Sequence, residues 1–261
     1  SQYVDDIKIG GLLYGKILRS PLPHAKILHI DTSRAKALPG VKAIISAEDI
    51  PRVKFGNYPE WVDRYPLAVG KVRYVGEAVV AVTAIDEDLA EEALKLIKVD
   101  YEPLAFYLDP IEAMQPGALL IHEDKERNIS HKLVKAYGDT ERGFREADYV
   151  REYTYQTEPN NPAAIEPHGV ISHWHLDGSL TMWANTQGPF RLRGRLYDVL
   201  GLTEDRIRVI KTAVGGGFGG KTGALDIHVA SAHLSRLTGR HVKMVLNREE
   251  VFLCTHQRHP A

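Results

Sequence analysis

A run of five glycines among six residues is the part of the sequence best suited to binding chemistry. It spans residues 215–220, with Phe218 as its one larger residue, and it leads into Lys221 and Thr222. Glycine loses more conformational freedom on folding than other residues, so such a run is expected where the backbone needs unusual dihedral angles or close approach to a ligand. Its N–H groups can converge on an anion or another electronegative ligand, and the positive end of a following helix would add to this. The run therefore predicts a ligand-binding loop.

The same segment also fits the phosphate-binding P-loop pattern. Gly215, Gly220, Lys221 and Thr222 stand in the required places, between a predicted strand and a predicted helix. On this interpretation the chain would bind a nucleotide. A glycine turn without any ligand, in a cofactor-free interaction domain, is a further alternative.

Three features count against a nucleotide site. Only 39 residues follow Thr222, whereas a P-loop normally opens a longer α/β domain. The later apolar strand, predicted over 242–246, runs into Asn247 instead of the Asp that a magnesium site needs. Phe218 would stand where phosphates are cradled. The dinucleotide fingerprint fails too, because Thr222 occupies the position of its third glycine.

Histidine and cysteine give weaker signals. The 12 histidines include the pairs His173/His175 and His256/His259, but no third ligand is evident, so a zinc site is disfavoured. The single cysteine, Cys254, excludes an internal disulfide and a cysteine-only zinc or iron–sulfur site. This low cysteine usage fits a reducing compartment, and we expect a cytoplasmic protein.

Composition narrows the partners. The chain has 261 residues, 44% of them hydrophobic, and a net charge of −1 without any block of like charges. Nothing in this charge pattern favours nucleic acid or an anionic membrane as a partner. No apolar stretch reaches the roughly 18 residues of a membrane span, and no secretory signal is visible at the N-terminus.

The elements that must position the loop follow from hydrophobic periodicity and turn residues. The fold class predicted is α+β, with a first domain over residues 1–105, a connector over 106–145 and a second region over 146–261. In the first domain and the connector, strands are predicted at 12–18, 26–30, 41–45, 77–84 and 98–102, and helices at 34–38, 86–97 and 139–147. In the second region, strands are predicted at 149–157, 170–176, 180–184, 206–214 and 242–246, and helices at 190–200 and 224–237.

Several motifs together resemble one family. The glycine loop resembles the GGGFGGK loop of the molybdopterin-binding large subunits of the xanthine oxidase and aldehyde oxidase family. Thr186-Gln187 resembles that family's glutamine loop, and Ile165-Glu166-Pro167 resembles its "MEP" segment. Its "REE…RHP" stretch is matched by Asn247 to Glu250 with Arg258-His259-Pro260. Its hammerhead domain is matched by residues 3–6, 18–25 and 75–77. The match runs in order over essentially the whole chain. It implies an α/β-hammerhead domain at 1–105 followed by the first part of a molybdenum-cofactor-binding domain.

The resemblance also implies the chemistry. Members hold molybdenum through the dithiolene of a pyranopterin, in the molybdopterin or cytosine dinucleotide form, so no residue here would ligate the metal directly. Gln187 would donate a hydrogen bond to an oxo ligand, and Gly216, Gly217, Phe218 and Gly219 would lie against the cofactor with amides aimed at its oxygen ligands. Without the resemblance, Gln187 would be expected to cap the following helix, and Phe218 to be a core aromatic.

Two departures limit what the resemblance implies. Purine-oxidising members carry Glu directly after the loop, where this chain has Thr222, so xanthine is disfavoured as a substrate. The family's general base is a Glu outside the part matched here, so we expect no catalytic residue in this chain and no turnover by it alone. Glu158 and Glu166 are not assigned as replacements, and Glu166, which precedes a proline, is expected to make structural hydrogen bonds.

Partners and substrate follow in the same way. The resemblance implies a polypeptide supplying the rest of the cofactor domain, a 2Fe–2S subunit, an FAD subunit and a small-molecule substrate. A stretch at the end of the first domain and the start of the connector looks most like 4-hydroxybenzoyl-CoA reductase large subunits, which remove a phenolic hydroxyl group. It comprises residues 96–102, 109–110, 113–114, 117–118 and 122–129. An aldehyde or an N-heteroaromatic substrate stays an equal alternative.

Overall fold

A seven-stranded mixed sheet forms the centre of the protein. The computed structural model describes residues 2–56 and 62–260. The strands of this sheet are β1 Leu13–Arg19, β3 Val41–Ile45, β5 Ala78–Ala84, β7 Gly169–Trp174, β8 Leu180–Ala184, β9 Ile207–Lys211 and β10 Val242–Val245. Their order is β3-β5-β1-β10-β7-β8-β9, and within it the β1–β10 and β8–β9 pairs are parallel while the others are antiparallel.

A smaller sheet and two helices complete the N-terminal part. The strands β2 Ala25–Asp31, β4 Lys71–Val72 and β6 Lys98–Pro103 pair in the order β4-β2-β6. Helix α1 is Ser33–Lys36, and helix α2, Glu87–Leu96, packs on β1 and β5. Asp86 caps α2 as predicted, since its side chain accepts the Leu89 N–H. The fold class predicted from the sequence, α+β with a hammerhead domain first, is confirmed.

The large sheet crosses the predicted boundary between the two regions. Strand β1, from the first region, pairs with β10 near the C-terminus, and Leu13 stands opposite Val242. Every residue of β5 is buried, which its run of small and β-branched side chains allows. Residues 1–105 and 146–261 thus share one sheet, and the division of the chain at 105 and 145 stays a prediction.

Helices of the second region cover this sheet. Helix α6, Asp226–Thr238, is buried over its first ten residues and packs on β7 and β10. Helix α5, Pro189–Leu200, packs on β9, and helix α7 is Arg248–Cys254. Gly201 and Gly239 end α5 and α6 in the left-handed conformation, as expected of C-terminal glycines. The main core lies between α6, α5 and the sheet.

The segment between the two regions is the most exposed part of the chain. It holds the short helices α3 Pro110–Ala113 and α4 Thr140–Glu146 and one 3₁₀ turn, Glu126–Asn128. The strand predicted at 149–157 is wrong: these residues are exposed and have no strand partner among the described residues. A strand needs a neighbour to bond its backbone groups, and the alternating pattern alone does not provide one. In the portion the structure covers, no helix could cross a membrane.

Candidate functional site

The site lies where two parallel strands end at one edge of the sheet. Strands β8 and β9 are parallel and α5 connects them, so their carboxyl ends are neighbours. Gln187 follows β8, and the glycine loop follows β9. Glu166 precedes β7, which is antiparallel to β8 and so begins at the same edge. The sheet topology brings together three segments that are far apart in sequence, and the predicted pair of Gln187 with the glycine loop forms as expected.

The loop backbone explains its glycines. Gly216 and Gly219 have φ angles of +92° and +86°, a region that favours glycine. Phe218 is also left-handed, at +49°, which is uncommon for a bulky residue. Gly217 is needed for close approach, because a Cβ there would lie 2.4 Å from Cδ of Gln187.

The Gln187 carboxamide has a fixed orientation. Its Oε1 accepts the N–H groups of Gly219 and Lys221 at 3.1 and 3.2 Å. Its backbone N–H donates to the Lys221 carbonyl at 2.8 Å. The oxygen is thus turned into the loop, and the amide NH₂ is the donor left for a ligand. Helix α5 is capped by Gly188 without a side-chain bond, so Gln187 is not its capping residue.

Part of the loop remains available to a ligand. The N–H of Gly219, expected to face the cofactor, is instead bonded to Gln187. The N–H groups of Gly216, Gly217 and Phe218 make no hydrogen bond within the described chain. Phe218 is 76% exposed beside them and is not a core aromatic here. Three successive free donors and a free carboxamide NH₂ fit a ligand that presents oxygen atoms, as the oxo-metal group of a pterin cofactor does.

Lys221 does not point towards a phosphate site. Its side chain is 1% exposed, and its Nζ lies 2.8 Å from Oε2 of Glu166. Burial lowers the pKa of Lys221 more than the neighbouring Glu166 raises it. Helix α6 begins only at Asp226, so the lysine does not stand at a helix start. A P-loop needs that ammonium group on the β- and γ-phosphates, and this geometry removes the support for a nucleotide site.

His168 stabilises the glycine loop by a hydrogen bond, and no pattern in the sequence predicts this role. Its Nε2 lies 3.1 Å from the Gly220 carbonyl oxygen. Burial lowers the pKa of His168, so the ring is neutral and Nε2 carries the donated proton. The one signal that could have found it is its place just after the Glu166-Pro167 motif.

The remaining histidines and the cysteine do not form a metal centre. His173 stacks on His241 with ring centroids 4.0 Å apart. Over residues 2–56 and 62–260, no group of three or more His, Cys, Asp or Glu side chains could hold a metal ion. Cys254 is buried, and burial raises the pKa of its thiol, which leaves it unreactive.

Comparison with known protein families assigns both regions of the chain. Residues 1–105 match the aldehyde oxidase and xanthine dehydrogenase a/b hammerhead domain, and residues 121–261 match the molybdopterin cofactor-binding domain. A probable xanthine dehydrogenase subunit of Bacillus subtilis is 37% identical over 99% of this chain and 34% of that protein. The nicotinate dehydrogenase large molybdopterin subunit of Eubacterium barkeri is 35% identical over 100% of this chain and 60% of that protein.

Solved structures of related enzymes have the same fold over nearly the whole of this chain. The CO dehydrogenase from Oligotropha carboxidovorans superposes with a TM-score of 0.88 at 33% identity, over 99% of this chain and 34% of the other. Quinoline 2-oxidoreductase from Pseudomonas putida 86 gives a TM-score of 0.86 at 29% identity, over 96% of this chain and 33% of the other. This chain thus spans about a third of three of these proteins and 60% of the fourth.

A hammerhead domain joined to a glycine loop with a facing carboxamide defines a class, that of molybdopterin cofactor-binding subunits. The chain belongs to the xanthine oxidase and aldehyde oxidase family of molybdenum-dependent oxidoreductases. The resemblance stated from the sequence is confirmed at the level of the family. No comparison tests the nearer likeness to 4-hydroxybenzoyl-CoA reductase, which stays a prediction.

Proposed function

We propose that this chain is part of a molybdenum hydroxylase and supplies one wall of its cofactor site. The observation that carries the proposal is the Gln187 carboxamide, held by two loop N–H groups so that its NH₂ is free. When bound, a molybdenum–pterin cofactor, in its molybdopterin or cytosine dinucleotide form, supplies two-electron oxidation or reduction of an electron-poor carbon. Gln187 would donate to an oxygen ligand without adding charge, and Gly216, Gly217 and Phe218 would offer their N–H groups.

The substrate class follows from the relatives and from the loop. The names of the relatives refer to xanthine, nicotinate, quinoline, CO and aldehydes. In this chain the residue after the loop is Thr222, whose hydroxyl donates to the Gly219 carbonyl at 2.9 Å. That hydroxyl is already used inside the turn, and it cannot replace a carboxylate that contacts a purine. An aromatic, N-heterocyclic or aldehyde substrate, hydroxylated or reductively dehydroxylated, fits this loop better than xanthine.

The chain would work within a larger assembly. Its relatives extend well beyond the matched part, and the general base is expected in a polypeptide that supplies the rest of the cofactor domain. Segment 149–155 exposes four large apolar or aromatic side chains that such a polypeptide would cover by pairing with this segment as a neighbouring strand: Tyr149, Val150, Tyr153 and Tyr155. Electrons would leave through a 2Fe–2S subunit and an FAD subunit. A cytoplasmic location also stays a prediction.

The test is the Gln187→Ala variant of the assembled enzyme. Loss of one preorganised donor should lower kcat about 10²-fold, while the molybdenum content stays near that of the wild type. The matched control is Gln115→Ala, whose exposed side chain donates to the Ile111 carbonyl on α3, and its kcat should not change. Equal kcat in wild type and Gln187→Ala would remove the proposed role.

The nucleotide alternative has its own measurement. Titration of the chain with MgATP should release no heat of binding, because Lys221 is committed to Glu166. Saturable binding of MgATP that protects the glycine loop would contradict the proposal.

A further inference from the structure

A buried ion pair beneath the glycine loop ties both ends of the loop together. Oε2 of Glu166 accepts the Gly215 N–H at 2.7 Å and lies 2.8 Å from Nζ of Lys221. The Glu166 N–H in turn donates to the Gly215 carbonyl at 3.1 Å. One carboxylate oxygen thus holds Gly215, where the loop begins, and Lys221, which follows its last glycine. A Cβ at Gly215 would lie 2.6 Å from Cβ of Glu166.

Lys221 connects this pair to Gln187. Its backbone N–H donates to Oε1 of Gln187, and its carbonyl accepts the Gln187 N–H and the Thr186 hydroxyl. The side chain of Lys221 meets Glu166 while its main chain makes three bonds to the glutamine segment. A shift of Lys221 therefore has to move the carboxamide that faces the ligand.

The charges make the arrangement stiff. An ammonium group buried to 1% exposure is costly unless an opposite charge is in contact, and Glu166 is the carboxylate that contacts it here. Replacing Lys221 leaves the Glu166 carboxylate, 16% exposed, without its opposite charge, and replacing Glu166 leaves the Lys221 ammonium group buried without one. The pair thus adds a strong restraint to a flexible glycine backbone whose own hydrogen bond joins the Gly220 N–H to the Gly217 carbonyl.

We propose that Glu166 and Lys221 are positioning residues, which set the orientation of the Gln187 carboxamide through the loop backbone. This inference rests on the proposed function for its effect on turnover, but not for its effect on the loop. Replacing a residue that holds a ligand-contacting group in place commonly changes activity by about 10–100-fold. The lysine that suggests a nucleotide site in the sequence thereby receives a different role.

The first test uses the assembled enzyme prepared without molybdenum. Amide hydrogen exchange at Gly219 and Lys221, the two donors to Gln187, should be roughly tenfold faster in Lys221→Met than in the wild type. The control is Lys243→Met, which removes another buried ammonium group, from β10, where it contacts Asp5. Exchange at 219 and 221 should not change in that control. If Lys221→Met fails to fold, Glu166→Gln tests the same pair, since its amide oxygen can still accept the Gly215 N–H.

The second test uses the assembled enzyme and a double-mutant cycle. Lys221→Met should lower kcat by about 10–100-fold with little change in KM and should alter the Mo(V) paramagnetic resonance signal as Gln187→Ala does. The double variant should be no slower than Gln187→Ala alone, because both substitutions remove the same interaction, that of the Gln187 carboxamide with the ligand. Unchanged exchange at 219 and 221, or additive losses in kcat, would overturn the inference. An assembled wild-type enzyme without molybdenum would instead refute the proposed function and leave the exchange result to decide the role of the pair.

Discussion

Residue 217 shows how the lack of a side chain can be a structural requirement. The carboxamide carbon of Gln187 occupies the space where a Cβ of residue 217 would lie, at 2.4 Å. The functional group of one loop thus packs against the bare backbone of the other. Gln187 can keep this position only if residue 217 has no side chain.

The Gly217→Ala variant tests this contact. The added methyl group should displace Gln187, lower the free energy of unfolding by about 1–3 kcal/mol and reduce the molybdenum that co-purifies with the assembled enzyme. Gly194→Ala in α5, where a Cβ meets nothing within 4 Å, should raise stability by roughly 0.5–1 kcal/mol. Thermal unfolding and metal analysis of both variants measure these effects. Equal stability and equal molybdenum content in the two variants would argue against a close contact at residue 217.

The sequence predicted the loop but not its support. Five glycines in six positions can be recognised locally, and the topology of β8 and β9 then brings Gln187 to them. The ion pair of Glu166 with Lys221 joins residues 55 apart, and no local pattern marks it. For the same reason the sequence alone allows Lys221 to be interpreted as a phosphate ligand, whereas its burial against Glu166 removes the support for that role.

At the scale of elements, α7 was missed although its capping signal is present. The Asn247 side chain accepts the Glu250 N–H at 2.9 Å, and Oε2 of Glu250 accepts the Asn247 N–H at 2.9 Å. This is a capping box, in which each side chain satisfies a backbone donor of the first turn. The helix has only seven residues, Arg248–Cys254, too few for hydrophobic periodicity to reveal it.

Asn247→Ala measures what the box contributes. Loss of the cap should lower the free energy of unfolding by about 1 kcal/mol, as seen in denaturant titration. Asn247→Asp keeps an acceptor at the same place and should stay within about 0.5 kcal/mol of the wild type. If Asp were as harmful as Ala, the effect would not come from capping.

Segment 149–157 shows the opposite error. Its alternation is typical of a strand, yet a strand depends on a neighbouring strand, and the described part of the chain provides no β-ladder for it. Local pattern determines which residues can form a strand, whereas tertiary contacts determine whether they do so.

At the scale of the whole molecule, Arg19 joins the two predicted regions. Its guanidinium lies 2.6 Å from Asp226 of α6 and 2.8 Å from Glu250 of α7, and its side chain is 8% exposed. It connects β1 with α6 and α7. One arginine thus balances two shielded carboxylates across the shared sheet.

Arg19→Met should therefore be severe. Leaving two shielded carboxylates unpaired should lower the free energy of unfolding by about 3–5 kcal/mol. The control is Arg142→Met, whose partner Glu146 is on the same exposed helix, and it should cost no more than about 0.5 kcal/mol. Urea titration of both variants gives the comparison, and similar losses in the two would argue against Arg19 as a link.

Buried histidines set the acid limit of stability. Burial lowers the pKa of His228 and of His233 to about 4, below the usual 6.5. The unfolded chain binds these protons first, so stability is full above pH 6.5 and declines as pH falls from 6.5 to about 4. In that range each of these histidines should add a slope of about 1.4 kcal/mol per pH unit. Replacing His233 by Gln should remove one such slope from a urea series over about pH 4–7, and an unchanged slope would refute the assignment.

An anomalous difference map at the molybdenum absorption edge, from crystals of the assembled enzyme, would locate the metal relative to Gln187 and the glycine loop. We predict one peak in front of Phe218, with an oxygen ligand of the metal within hydrogen-bonding distance of the Gln187 amide nitrogen. A molybdenum peak away from Gln187, or a triphosphate in the glycine loop, would contradict the claim that Gln187 and the loop form one wall of the cofactor site.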